Sequence, residues 1–155
     1  MQPTAYTIDL LQPAEQASLE MLYPLVAMVL LTLIVGVRMY LVRVAEMKRS
    51  RVHPEQMKTR NDIQARLSDT RASDHYANLF ELPVVFYVAV FAIWLTGLTD
   101  GLYLVLAWAF FASRVVHATI HLTINRVMWR FAAFITGFGL LTVIWLRIAF
   151  DLIVA

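Results

Sequence analysis

Asn78 and Glu81, followed closely by Pro83, form one polar group in this chain; Arg114, His117 and His121 form a second, and Arg126 and Arg130 stand just beyond it. Each lies in or against a strongly apolar stretch. An ionisable side chain in the middle of a membrane helix costs roughly 2.5–3.5 kcal/mol on insertion scales, so such groups face protein or a cavity and often mark a site. A carboxylate and a guanidinium at one depth could pair and cancel each other's charge. Two His at i and i+4 could also hold a metal, with a third ligand drawn from Glu81 or His75.

The whole chain says where these groups must work. Of 155 residues, 60% are hydrophobic and only 15% are charged. Mean hydropathy is +0.65. Soluble domains are nearer 45–50% apolar and about 25% charged, so this composition predicts an integral membrane protein of one domain covering residues 1–155. The net charge of +2 is slight, and no nucleic-acid partner is expected. There is no cysteine. Disulfides and Cys-based metal sites are excluded, and any thiol chemistry must use a thiol from outside. The opening residues lack the basic start of a secretory signal, which predicts a short exposed tail before an uncleaved first span.

Crossing the roughly 30 Å hydrocarbon core takes about 20 apolar residues in a helix. Four segments qualify: about 21–42, 77–98, 102–121 and 127–150. Lipid requires backbone groups to be satisfied within each segment, and the alternation of a membrane barrel is absent. The expected fold class is therefore all-α, an integral membrane four-helix bundle of up-down topology. Residues 43–71 carry Arg43, Lys48, Arg49, Arg51, Lys58, Arg60, Arg66 and Arg71, and the third connection adds Arg126 and Arg130; the short second connection near Asp100 has no base. The positive-inside rule then makes loops one and three cytoplasmic and puts both termini on the other side. Part of loop one is expected to be helical, because residues 56–80 contain neither Pro nor Gly.

At about 100° per residue, Arg71, Asp74, His75, Asn78 and Glu81 share one face of a helix entering span two, and Arg114, His117, His121 and Asn125 share one face of span three. Both faces lie at the cytoplasmic ends, where a Glu81–Arg114 pair would cancel two charges that neither helix could bury alone. Plainer readings stand beside these. The pair could simply lock helix packing, the His residues could be interfacial with solvated tips, and Arg130 could be an ordinary anchor at the membrane surface. Trp129 and Trp145 suit the two interfaces. Ala133 and Gly137 form a small-xxx-small pattern that permits a close neighbour.

Asn-x-x-Glu with a following Pro, then Arg-x-x-His, then an Arg opening the fourth span, resembles the superfamily of membrane-associated proteins in eicosanoid and glutathione metabolism (MAPEG), in a bacterial-type branch. The resemblance covers about residues 20–150. It implies a homotrimer in which glutathione, as co-substrate, binds between neighbouring subunits on the cytoplasmic side, and a bacterial inner-membrane location. It implies that Arg71, Asn78, Glu81, Arg114, His117, His121 and Arg126 contact or brace the tripeptide, and that Arg130 is the catalytic group stabilising the thiolate. Membrane lipids and a lipophilic small molecule arriving from the bilayer are the implied partners. Two positions depart from the family pattern. Asp74 stands where the enzymes usually have an Arg that meets a glutathione carboxylate, with Arg71 one turn earlier, and His121 stands where a Tyr is common.

Two functions follow. One is a glutathione-dependent transferase or peroxidase acting on lipophilic electrophiles. The alternative is a non-catalytic lipid-binding or scaffold protein with the polar stripes as packing ion pairs, as in the family's lipoxygenase-activating member, which binds lipid without catalysis. An ion-coupled carrier is disfavoured because charges at the cytoplasmic end alone leave no continuous polar path.

Overall fold

The computed structural model describes residues 19–56, 58–59, 61–62, 65 and 76–154. Four of its helices are long and apolar enough to cross a membrane. They are α1 (Leu22–Ser50), the segment Tyr76–Thr96 whose regular part is α2 (Leu82–Thr96), α3 (Gly101–Leu122) and α4 (Val127–Val154), with a short 3₁₀ turn at Pro54–Gln56. The expected spans match these closely except at one end. Helix α1 continues past residue 42 to Ser50, carrying Arg43, Lys48 and Arg49 on its last turns, where basic side chains favour the negative end of the helix dipole. The backbone then turns left-handed at Arg51 and the helix stops.

Each remaining boundary has a local cause. Gly97 ends α2 in the left-handed conformation (φ 71°), its N–H reaching back to the Ile93 and Trp94 carbonyls. Asp100 caps α3, its carboxylate accepting the Tyr103 N–H at 2.9 Å. Pro83 shapes the entry to α2. Lacking an N–H and crowding the carbonyl four residues earlier, it cannot continue an α-helix from the turn at residues 76–78. The chain passes through tighter i→i−3 bonds instead, from Leu79 N–H to Tyr76, Phe80 N–H to Ala77, Glu81 N–H to Asn78 and Val84 N–H to Glu81.

Helices α3 and α4 form the most extensive pair, with α2 against α4 and α1 against α3 and α2. Contacts of Tyr103 with Asp151, Arg114 with Ala133 and His117 with Arg130 show that α3 and α4 run antiparallel. Phe86 and Phe110 stack at 4.5 Å in the middle of the core. In lipid, association rests on close packing and interhelical hydrogen bonds rather than on hiding apolar surface from water. Thr32 Oγ1 and Tyr87 OH meet at 3.3 Å between α1 and α2, and the Arg38 guanidinium donates to the Leu122 carbonyl at 3.1 Å, capping the end of α3. Trp129 is exposed, as an interface residue should be. Trp145 instead packs partly against the core with its indole nitrogen buried.

The end of the bundle formed by the start of α3 and the last turns of α4 is also charged, contrary to the expectation that charge is confined to one end. Arg147 pairs with Asp100 and with Asp151, and lies 4.1 Å over the Tyr103 ring. The fully buried Tyr103 donates its hydroxyl to Asp151 at 2.8 Å. Between this cluster and the other end the core is filled by Ala107, Phe110 and Phe86. Desolvation works against the charged Asp100, but Arg147 and the Tyr103 and Leu102 N–H groups more than offset it and hold its carboxyl below the ordinary value of 3.8. A lowered folded pKa means stability that is present above the unfolded value and lost as pH falls through the folded one. Asp100→Ala removes a helix cap and this pair, so thermal unfolding should report a loss of about 1 kcal/mol at neutral pH. The gap between variant and wild type should close below about pH 3.8. A gap that persists in acid would show that Asp100 acts through its shape alone.

Candidate functional site

Asn78, His117 and Arg130 come from different parts of the fold and line one cleft of about 190 Å³, walled by Val127, Phe131 and Phe134. Asn78 ends the helical turn before the Pro83 break, His117 sits late on α3, and Arg130 lies in the first turn of α4. The link between α3 and α4 fixes Arg130. Asn125 adopts a left-handed conformation (φ 50°), which Asn tolerates better than most side chains. Its N–H donates to the Ile120 carbonyl at 2.8 Å. In this posture the Asn125 side-chain oxygen accepts from the Arg130 guanidinium at 2.7 Å, so one residue makes the turn and holds the cation.

His117 is buried, and its Nδ1 lies 3.2 Å from the Arg130 carbonyl. A carbonyl only accepts, so Nδ1 carries the hydrogen in this bond. His121 is buried one turn on, its ring 5.9 Å from that of His117. Solvated tips are thus ruled out for both. Among the described residues no three or more His, Cys, Asp or Glu side chains are grouped so that they could hold a metal ion.

Arg114 corrects one expectation. No ion pair joins it to Glu81. Arg114 is only 4% exposed, and its guanidinium donates to the Ala133 carbonyl at 2.8 Å and the Phe134 carbonyl at 3.4 Å. It also donates to Ser113 Oγ at 3.4 Å and contacts the Phe110 and Phe134 rings. The charge is spread over helix carbonyls and aromatic faces rather than cancelled by a carboxylate. The small-xxx-small pair makes the room: a Cβ on Gly137 would lie 2.7 Å from Ser113 Oγ and 2.8 Å from Arg114 Cζ. The close neighbour that this pattern admits is the Arg114 side chain.

Glu81 is a second correction. Helical arithmetic put it on one face with Asn78, but the break at Pro83 interrupts the helix between them. Glu81 is exposed and is absent from the cleft lining, whereas Asn78 faces it. Arg126 is also apart: it is exposed and lines a separate apolar cavity with Ile120, Ile124 and Trp129. Arg71, Asp74 and His75 lie outside the described residues. Sequence reasoning missed the hold of Asn125 on Arg130 and the Phe131–Phe134 wall. It also missed the Tyr103–Arg147–Asp151 cluster. The i, i+4 charges Arg147 and Asp151 inside an apolar span were the available signal for that cluster.

Taken together, the cleft offers a fixed cation, an amide and an imidazole beside aromatic walls. That combination can hold a polar, anionic group next to an apolar one. Neither the curated proteins nor the solved structures yield a match. The model of the MAPEG family matches residues 21–150. Four membrane-capable helices and a match over nearly the whole chain place it plainly: the chain belongs to the MAPEG family, membrane proteins of eicosanoid and glutathione metabolism.

Proposed function

We infer that this protein is a glutathione-dependent transferase or peroxidase of a bacterial-type MAPEG branch, acting on lipophilic electrophiles in an inner membrane as a homotrimer with both termini outside. The observation that carries the reading is the convergence of Asn78, His117 and Arg130 on one cleft with an aromatic wall. Glutathione would place its thiol at Arg130 and its peptide groups against Asn78 and His117. Arg114 and His121 would brace this set from α3, and neighbouring subunits would complete it. In this role Glu81, exposed beside the Pro83 break, serves a neighbouring subunit's site rather than its own cleft. Loss of the thiol proton gives a thiolate, which attacks the electrophilic carbon to form a C–S bond as the leaving group departs. With a hydroperoxide the thiolate attacks the terminal oxygen, the O–O bond breaks to release the alcohol, and a second glutathione condenses with the resulting sulfenic acid to give the disulfide and water.

Titration calorimetry of the detergent-purified protein with glutathione tests the reading. Saturable heat in the millimolar range or below, reduced in Asn78→Leu, is expected. Absence of heat at millimolar glutathione would reject it. A non-catalytic lipid-binding or scaffold role draws support from Arg114, whose guanidinium is committed to packing α3 on α4. That reading expects no glutathione heat and no turnover from a protein that remains folded and lipid-bound.

A further inference from the structure

Arg126 was expected beside glutathione, yet it lines a different cavity. This space of about 370 Å³ is walled by Ile120, Ile124 and Trp129, with Arg126 as the one charged group among its described lining residues. We propose that it seats an anionic glycerophospholipid, with the headgroup phosphate on the Arg126 guanidinium and the upper part of an acyl chain against Ile120, Ile124 and Trp129.

The position argues for an amphiphile. Arg126 lies between the last residue of α3, Leu122, and the first of α4, Val127, where both apolar helices stop. A ligand there meets the membrane boundary on one side and hydrocarbon on the other. Trp129 and Ile124 are 62% and 69% exposed and flank the opening. An indole at that level suits the junction of headgroup and chain.

The charge argues for an anion. Arg38, Arg130 and Arg147 each have a partner in the fold: Arg38 the Leu122 carbonyl, Arg130 Asn125 and Arg147 Asp100. Among the described residues no carboxylate or hydrogen-bond acceptor engages the Arg126 guanidinium. Its planar fork matches two phosphate oxygens. Among the described lining residues the other polar group is the Trp129 indole N–H, so a free phosphate would leave the apolar surface of Ile120 and Ile124 unused. A zwitterionic lipid would bring its own cation close to Arg126. Basic pockets between membrane helices bind anionic headgroups for these reasons. The volume suits a headgroup with part of one chain, not a whole lipid.

Native mass spectrometry of the full chain in detergent, with phosphatidylglycerol or phosphatidylcholine added, provides the test. Phosphatidylglycerol adducts should dominate, and Arg126→Gln should lower them about fivefold, the effect of one cation near an anionic headgroup. Equal adducts of the two lipids, or an unchanged Arg126→Gln, would overturn the proposal. So would displacement of phosphatidylglycerol by inorganic phosphate, which would make this a free-anion site. Spontaneous cross-linking of Ile124→Cys between copies would put a second chain in the cavity and overturn it as well. Should Arg126→Gln fail to fold, Arg126→Lys decides: a preserved preference for phosphatidylglycerol supports the site and a lost preference overturns it. None of these residues lines the Asn78–His117–Arg130 cleft, so the outcome is independent of glutathione binding.

Discussion

Arg130→Ala is expected to abolish most thiolate formation on bound glutathione while leaving much of its binding intact. A free thiol has a pKa near 8.5, so about 3% is ionised at pH 7. If the Arg130 guanidinium brings bound thiol close to full ionisation, its removal should lower kcat roughly thirtyfold at neutral pH, with a smaller change in the glutathione KM. The pH profile gives the sign. The wild type should be nearly flat above neutrality, whereas the variant should gain about tenfold per pH unit until the unassisted thiol ionises. Thiolate absorbance in the ultraviolet, measured on the bound complex, reads the same quantity without turnover. Asn125→Gly provides an intermediate case. Glycine keeps the left-handed turn (φ 50°) but removes the oxygen that holds Arg130 at 2.7 Å. The cation stays and loses its anchor, and a several-fold fall in kcat is expected. Unchanged thiolate absorbance in Arg130→Ala would remove Arg130 from the chemistry.

The second large effect concerns stability. Gly137→Ala adds a methyl where Ser113 Oγ and Arg114 Cζ already lie within 2.8 Å. Either α3 and α4 move apart or Arg114 leaves the Ala133 carbonyl, and a buried cation loses its best acceptor. Overpacking of this kind costs about 1–3 kcal/mol, seen as a fall of several degrees in Tm. Gly139 is the control within the same helix. A Cβ there meets nothing within 4 Å, so Gly139→Ala should be neutral or slightly stabilising through helix propensity. Arg114→Met, which empties the space over Gly137, should relieve much of the Gly137→Ala cost, giving strong non-additivity between the two. Additive losses would mean that the contact between Arg114 and Gly137 carries no energetic weight.

Gly137 also marks the boundary between what is local and what is not. As part of a small-xxx-small pattern it announced a close approach, yet the sequence could not say to what. Arg114 was visible as a costly cation and was assigned a carboxylate partner. The partner turned out to be backbone carbonyl on α4, because the space left by Ala133 and Gly137 lies directly across from it. Glu81 was misplaced for a related reason. A constant turn per residue holds only within an unbroken helix, and Pro83 interrupts this one. Arg126 and Arg130 line separate cavities although the Arg130 N–H donates to the Arg126 carbonyl at 3.0 Å, so closeness along the backbone did not bring the two side chains to one site.

The four spans, their approximate limits and the membrane setting were legible because they depend on local quantities. These are the length of apolar chain against bilayer thickness, the cost of each inserted charge, and the backbone preference of single residues. The family resemblance rested on the same local spacing. The union of Asn78, His117 and Arg130 in one cleft, the lodging of Arg114 on α4 and the removal of Glu81 and Arg126 from that cleft were settled only in the tertiary structure. Each depends on the axial register of one helix against another. That register follows from the combined packing of small and large side chains along the whole interface, which no single stretch of sequence specifies.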